Sequence, residues 1–155
     1  PTTDKVKESL FNIVQFDIEG RRVLDMFAGT GQLGIEALSR GAREAVFLDE
    51  DSRAVRLVKE NLAACGLEGR VLQGDAIGLL RALGKFDVIF IDPPYDAGLA
   101  VRALEEIKKI DILSDGGIIV CETRQETVLP VLGEPYFKGR EYRYGKVKLT
   151  VYGKG

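Results

Sequence analysis

Phe86-Asp87-Val88-Ile89-Phe90-Ile91-Asp92-Pro93-Pro94-Tyr95 is the stretch that decides the fold. Its centre, residues 88–91, is uniformly apolar, which is typical of a parallel strand covered on both faces. The two prolines that follow cannot donate to a strand ladder, and the first biases Asp92 toward extended backbone. The sequence Asp-Pro-Pro-Tyr is therefore expected at the carboxyl end of a central strand, where open α/β sheets bind ligands.

Strand and helix patterns alternate on both sides of this stretch. The apolar periodicities predict strands over 22–26, 45–49, 70–73 and 117–122, and helices over 5–14, 33–39, 52–61, 77–83 and 99–109. Residues 136–143 and 146–152 alternate polar and apolar side chains, as a hairpin does. Five parallel units and a hairpin predict an α/β, Rossmann-like three-layer sandwich. Its seven-stranded sheet is mostly parallel and carries a C-terminal antiparallel hairpin.

Composition limits the classes of function. The 155 residues, 45% hydrophobic and 30% charged, are enough for one globular domain. No apolar run reaches the roughly 20 residues of a membrane span, and no signal peptide is visible, so we expect a cytoplasmic protein. The absence of histidine excludes histidine-based triads, and Cys65 and Cys121 lack zinc-ligand spacing, so we expect no metal.

Charge is distributed unevenly along the chain. A net charge of −2 does not indicate a nucleic-acid-binding protein. The segment 134–155 is nevertheless cationic, with Lys138, Arg140, Arg143, Lys146, Lys148 and Lys154 against only two glutamates. Two interpretations of this segment stay open: a solvated edge strand protected by charge, or a phosphate-binding surface.

A glycine-rich loop follows the first predicted strand. Gly29, Gly31 and Gly34 have the G-x-G-x-x-G spacing, which lets backbone amides approach a ligand and lets a helix pack closely on the sheet. The strand ends in Asp25, which suits the ammonium group of an amino-acid moiety better than a diphosphate. This pattern favours a nucleoside ligand, and the alternative is a purely structural turn.

Two further strands end in acidic residues. Asp49, 24 residues after Asp25, stands where an acidic side chain accepts hydrogen bonds from ribose hydroxyls, although Glu50 or Asp51 could take that role. Asp75 could accept from an adenine amino group while the Ala76 amide faces a ring nitrogen. The alternative for Asp51 and Asp75 is that each caps the helix that follows it.

The Asp-Pro-Pro-Tyr sequence suits an exocyclic amine attached to a ring. Asp92 and the Pro93 carbonyl can accept N–H hydrogen bonds and so orient the nitrogen lone pair, while Tyr95 can stack on the base. The alternative is a turn at the strand end whose aspartate caps a helix.

These residues together resemble a known family. The sequences Asp25-Met26-Phe27-Ala28-Gly29-Thr30-Gly31 and Asp92-Pro93-Pro94-Tyr95 are similar to class I S-adenosylmethionine-dependent methyltransferases that modify exocyclic amines. The opening residues 1–12 and the closing residues 144–149 resemble, more narrowly, the bacterial 16S ribosomal RNA guanine-N2 methyltransferase family. The resemblance covers essentially the whole chain, and implies one methyltransferase domain over residues 1–155.

The resemblance also implies roles for individual residues. Asp25, Phe27, Ala28, Gly29, Gly31 and Gly34 would bind the methionine side of S-adenosylmethionine, Asp49 or Glu50 the ribose, and Asp75 and Ala76 the adenine. Asp92, Pro93, Pro94 and Tyr95 would hold a flipped guanine. The product would be S-adenosylhomocysteine, and the partner 16S ribosomal RNA within a 30S subunit or assembly intermediate.

Two departures from the family and two rival functions accompany this interpretation. The short basic segment that usually precedes residue 1 is absent, which bears on RNA affinity, and Gln32 replaces a small residue or asparagine. We expect a monomer. The rivals are a DNA adenine-N6 methyltransferase, which would use the same four residues, and a non-catalytic nucleoside-binding module in ribosome assembly.

Overall fold

The computed structural model describes residues 3–94 and 98–155 of the chain. Within them, helices and strands alternate as the sequence predicts. In chain order the elements are α1 (Asp4–Ile13), β1 (Arg22–Asp25), α2 (Gln32–Ser39), β2 (Glu44–Asp49), α3 (Ser52–Ala64), β3 (Arg70–Gln73), α4 (Ala76–Leu79) with a 3-10 turn (Leu80–Ala82), β4 (Phe86–Ile91), α5 (Leu99–Ile110), β5 (Leu113–Arg124), β6 (Tyr136–Tyr144) and β7 (Val147–Lys154).

The strands form one mixed sheet in the order β3-β2-β1-β4-β5-β7-β6. Neighbours from β3 to β5 are parallel, whereas β7 pairs antiparallel with both β5 and β6. This arrangement confirms the predicted Rossmann-like sheet with a C-terminal antiparallel hairpin. Because β1 pairs with β2 on one side and β4 on the other, the strand order reverses between β1 and β4. A crevice opens at the carboxyl ends of strands at such a reversal.

Alternate residues of the central strands are buried against helices on opposite faces of the sheet. Leu24, Ile89 and Ile91 pack in one cluster with apolar residues of α4 and α5. Val23 and Phe90 pack on the other face with α1 and α2. Burial on both faces explains why residues 88–91 carry no polar alternation. None of the helices in residues 3–94 and 98–155 is long and apolar enough to cross a membrane.

Helix α1 begins as the sequence predicts. The Thr3 side chain accepts a hydrogen bond from the Val6 amide at 3.3 Å, which satisfies one of the unpaired donors of the first turn. From the sequence, either Thr2 or Thr3 could be this cap, and Thr2 lies outside the described residues. Val6 and Leu10 are buried against the sheet, as their helical spacing predicts.

Strand β5 is longer than the predicted strand over 117–122. It begins at Leu113, because Phe86 pairs with Leu113 and pairing resumes between Val88 and Ile118 after a shift in register. The intervening residues 114–117 resemble a turn in sequence, and Gly116 does adopt a left-handed φ of 75°. A strand that continues through such an irregularity cannot be recognised from turn-forming residues alone.

Candidate active site

A cavity of about 1600 Å³ lies at the carboxyl ends of the parallel strands. It is lined by the segments that follow β1, β2, β3 and β4, by the start of α5, and by residues from Glu122 to Val128. Pockets for a single small ligand are typically about 300–1000 Å³. The cavity is therefore larger than a typical site for one small ligand.

Most of the residues predicted from sequence meet in this cavity. Of the ten predicted cofactor ligands, eight line it: Asp25, Phe27, Ala28, Gly29, Asp49, Glu50, Asp75 and Ala76. Gly31 and Gly34 are not part of the lining. Asp92, Pro93 and Pro94 also line the cavity, whereas Tyr95 lies outside the described residues. The four strand ends therefore converge as the parallel topology predicts.

Asp25 is a carboxylate enclosed by the fold. Its side chain is 1% exposed, and its Oδ2 accepts a hydrogen bond from the Gly34 amide at 3.0 Å. Burial raises the pKa of Asp25 to about 7, the Gly34 hydrogen bond opposes that rise, and the negative charges of Asp92 and Asp49 add to it. A cationic ligand in the cavity would favour the ionised form, so the site fits the ammonium group expected there.

The glycine loop combines unusual backbone with close packing. Gly29 and Gly31 adopt φ values of 59° and 82°, which favour glycine. A Cβ on Gly34 would lie 2.3 Å from the Phe47 ring of β2, so α2 can approach the sheet this closely only with glycine at that position. Gly34 thus lies behind the cavity wall and supports it from the core, while its amide orients Asp25.

Asp49 links the glycine loop to the end of β2. Its two carboxylate oxygens accept hydrogen bonds from the amides of Gly29 and Asp51, each at 2.9 Å. Each oxygen retains a second lone pair, which can accept from a ribose hydroxyl. Asp51 caps α3 through the Arg53 amide at 2.8 Å, as the alternative interpretation of that residue predicted.

Asp75 serves as a helix cap and also faces the cavity. Its Oδ2 accepts a hydrogen bond from the Gly78 amide at 3.2 Å, which begins α4. The same side chain and the adjacent Ala76 line the cavity. The helix-cap interpretation is therefore confirmed, and the predicted contact with adenine remains compatible with it.

A second carboxylate, which no sequence motif indicated, stands next to Asp92. Because Ile91 pairs with Cys121 in the parallel register of β4 and β5, Asp92 and Glu122 follow side by side on adjacent strands, and both line the cavity. Burial, and then the charges of Asp92 and Glu122, raise the pKa of the Cys121 thiol. The signal used for Asp49, an acidic residue at the end of a predicted apolar strand, also applies to Glu122, the last residue of the strand predicted over 117–122.

Cys121 itself is a core residue. It is fully buried and packs with the apolar residues of the α4–α5 face of the sheet. Its raised pKa keeps it protonated, so it is no nucleophile. Its position within an apolar strand of the sequence likewise favours a core residue over a nucleophile.

Other residues of the lining were also not predicted. Two arginines line the cavity, Arg102 on α5 and Arg124 at the end of β5, together with the exposed Val128. Leu57 of α3 also lines the cavity. These residues come from helix faces and from the segment after β5, which carry no motif.

The chain was compared with known proteins. Residues 1–153 match the family described as Conserved hypothetical protein 95. "Putative rRNA methyltransferase YlbH" of Bacillus subtilis is 41% identical over 99% of this chain and 87% of its own length. "Ribosomal RNA small subunit methyltransferase D" of Escherichia coli is 34% identical over 98% of this chain and 78% of its own length.

The fold recurs in a solved structure with both kinds of ligand. The Thermus thermophilus 16S rRNA N2 methyltransferase RsmC, solved in complex with AdoMet and guanosine, has a TM-score of 0.79 with 23% identity. It aligns with 99% of this chain and 44% of its own. At this identity the likeness concerns the fold alone, and it shows that the present sheet is a methyltransferase fold.

Proposed function

Since the chain belongs to the Conserved hypothetical protein 95 family of rRNA methyltransferases, we propose that it methylates the exocyclic N2 of a guanine in 16S ribosomal RNA. The observation that carries this proposal is that Asp92 shares one cavity with the buried carboxylate of Asp25. A residue that can hold an amine thus shares the cavity with a residue that can hold a cationic cofactor. S-adenosylmethionine, when bound, supplies an electrophilic methyl group and leaves as S-adenosylhomocysteine. The substrate would be a 30S subunit or an assembly intermediate.

The cofactor half of the site holds polar groups of the required kinds. Ionised Asp25 receives the ammonium group, directly or through water, and the Gly34 amide fixes the orientation of its carboxylate. Asp49, held by two backbone amides, accepts from the ribose hydroxyls. Asp75 and Ala76 line the same cavity and would contact the adenine. None of these roles needs a metal ion.

The acceptor half positions the amine. A neutral aromatic amine is a poor nucleophile because its lone pair is delocalised into the ring. Asp92 and the Pro93 carbonyl accept hydrogen bonds from the two N–H groups, which favours a pyramidal nitrogen with its lone pair directed at the methyl carbon. As the N–C bond forms and the methyl–sulfur bond breaks, the nitrogen becomes cationic. The Asp92 carboxylate would stabilise that charge until the proton passes to solvent. A base paired in a helix must first leave its stack to enter the cavity.

The position of Glu122 favours guanine over adenine as the base that receives the methyl group. Guanine presents its ring N1–H beside the N2 amino group, so it offers adjacent donors to the adjacent carboxylates of Asp92 and Glu122. Adenine presents an acceptor, its unprotonated N1, beside the N6 amino group. The lone pair of adenine N1 would face the Glu122 carboxylate and be repelled by it. The paired carboxylates therefore favour the rRNA guanine reaction over the DNA adenine alternative.

The proposal is tested by methyl transfer with Asp92→Asn. We expect the wild-type protein to transfer labelled methyl groups to 30S particles that lack the modification and not to duplex DNA. Asp92→Asn should lose about 100-fold or more in kcat, because it removes the charge that stabilises the cationic nitrogen. Its affinity for S-adenosylmethionine, measured by calorimetry, should stay within about threefold of wild type. Labelling of DNA alone, or full activity of Asp92→Asn, would refute the proposal.

A second substitution tests the choice of base. Glu122→Gln replaces the carboxylate by an amide that can present a donor to guanine N1–H, so we expect kcat/KM on 30S particles to fall about 10- to 100-fold. The control is Glu105→Gln, which removes the same charge from an exposed position of α5. Equal kcat/KM values for the two variants would show that Glu122 does not select the base.

A further inference from the structure

Exposed cations gather beside the acceptor half of the cavity. Arg124 ends β5 and lines the cavity, with 55% of its side chain exposed. Arg143, near the end of β6, is 58% exposed, and Lys146 lies exposed in the two-residue turn between β6 and β7. We call Arg124, Arg143 and Lys146 the basic rim.

One glutamine fixes the basic rim to the cavity wall. The Gln125 amide donates to the Lys146 carbonyl at 3.0 Å, and its side-chain amide donates to the Gly145 carbonyl. The side-chain oxygen of Gln125 accepts from Arg143 Nη1, also at 3.0 Å. Because Gln125 directly follows Arg124, the turn of the hairpin is held next to the cavity lining.

Neighbouring carboxylates offset only part of the positive charge of this surface. Glu126 lies 3.9 Å from Arg124 and offsets one charge. Glu141 is contacted by three cations, Lys138 at 3.7 Å and Arg143 and Lys148 each at 3.3 Å. One carboxylate therefore faces three positive charges, which leaves a net charge of +2 around it. The Lys148 side chain is only 6% exposed, so its charge is poorly screened by solvent.

The opposite side of the cavity carries charge of the other sign. Asp49, Glu50, Asp51 and Asp75 line it with Arg53 as the one lining cation among the described residues of that side, a net charge of −3. A polyanion is repelled from that side and attracted to the basic rim. The basic rim therefore draws a nucleic-acid strand to the side of the cavity that Arg124 lines.

We propose that the basic rim binds phosphodiester groups of the RNA strand adjacent to the nucleotide whose base enters the cavity. This inference rests on the proposed function and names the surface through which the RNA reaches the site. It also decides between the two interpretations of the cationic segment 134–155. The overall charge of the protein can remain near neutral because only the basic rim contacts phosphate.

The experiment uses the full chain with the double substitution Arg143→Gln, Lys146→Gln. Filter binding to a 16S ribosomal RNA transcript and the KM for 30S particles lacking the modification are measured between 50 and 250 mM KCl. The control is Arg56→Gln, Lys59→Gln, which removes the same charge from the exposed face of α3. Lys146→Glu is measured as well, because only the main chain of Lys146 holds the turn and the fold should survive this reversal.

We expect the rim variant to bind RNA roughly tenfold more weakly at 150 mM KCl, with a salt slope shallower by about 1.4, as for two lost contacts to a single strand. Lys146→Glu should also weaken binding, because it replaces a positive charge of the basic rim by a negative one. Equal affinity and slope for the rim and control variants would overturn the inference. A loss seen with 30S particles but not with naked RNA would also overturn it, because the rim would then contact a ribosomal protein.

These outcomes are separable from failure of the proposed function. If the wild-type protein transferred no methyl group to RNA, the proposed function would fail. The binding comparison would still decide whether the rim contacts RNA. If methyl transfer occurred and the rim variants behaved as the controls, only the present inference would fail.

Discussion

Replacing Asp25 by asparagine should stabilise the folded protein at alkaline pH while it weakens the cofactor site. The substitution removes a charge from a side chain that is 1% exposed, and it preserves the shape of the side chain and an oxygen to accept from the Gly34 amide. The folded state raises the pKa of Asp25 from 3.8 to about 7, chiefly through burial. The folded chain therefore holds this proton more tightly than the unfolded chain does.

The sign and the size of the effect follow from this shift in pKa. The stability contributed by protonated Asp25 is complete below pH 3.8 and is lost as the pH rises toward 7, since the unfolded chain releases the proton first. A shift of about three pH units corresponds to at most roughly 4 kcal/mol, of which about 2–3 kcal/mol falls between pH 5 and pH 8. In Asp25→Asn, residue 25 does not titrate, so this contribution to the pH dependence of stability is absent.

Urea denaturation of wild type and Asp25→Asn at pH 5 and pH 8 measures the difference. The chain contains no histidine, so no imidazole titrates in this interval. The control is Glu68→Gln, which changes an exposed residue. We expect the free energy of unfolding of this variant relative to wild type to differ by less than about 0.5 kcal/mol between the two pH values. If wild type and Asp25→Asn showed the same pH dependence, the argument from burial would be wrong.

The proton released on cofactor binding provides a second test of the same substitution. Near pH 7 about half of the Asp25 side chains are protonated, so S-adenosylmethionine should displace about half a proton per site on binding. Calorimetry in two buffers of different ionisation enthalpy counts that proton. Asp25→Asn should bind more weakly and release none. Proton release by the variant equal to that of wild type would refute the assignment of the ammonium group to Asp25.

Two predictions concern the scaffold. Gly34→Ala should lower the free energy of unfolding by about 1–3 kcal/mol, because its Cβ would meet the Phe47 ring at 2.3 Å. Gly98→Ala, where a Cβ meets nothing within 4 Å, should change it by under about 0.5 kcal/mol, and equal urea midpoints for the two variants would contradict this reasoning. Lys154→Met should cost about 1–2 kcal/mol, because the buried ammonium pairs with Asp111 at 2.9 Å and donates to a strand carbonyl. An unchanged melting temperature would count against that role.

The sequence itself determined the order of the elements and the acidic strand ends. Uniformly apolar runs such as residues 88–91 specify strands buried on both faces, and Asp25, Asp49, Asp75 and Asp92 each stand at or just after the end of a strand. Parallel strands bring their carboxyl ends to one edge of a sheet. The meeting of these four residues in one cavity could therefore be predicted without coordinates.

Only the tertiary structure decided which other residues share that cavity. The position of Glu122 beside Asp92 depends on the register between β4 and β5, and that register passes through an irregularity whose residues resemble a turn. The placement of Arg143 depends on Gln125, which lies 18 residues away in sequence. Local patterns cannot contain such information, because register and long-range hydrogen bonds are set by how distant segments pack.

The Asp25 carboxylate shows the same division within one residue. Its place at the end of β1 is a property of the local sequence. Its burial, the Gly34 hydrogen bond and the charges of Asp92 and Asp49 come from three other segments of the chain. The sequence therefore determined that an acid stands at this strand end. Its pKa near 7 was decided by the fold, because desolvation and Coulomb interactions depend on distances that only the packed structure fixes.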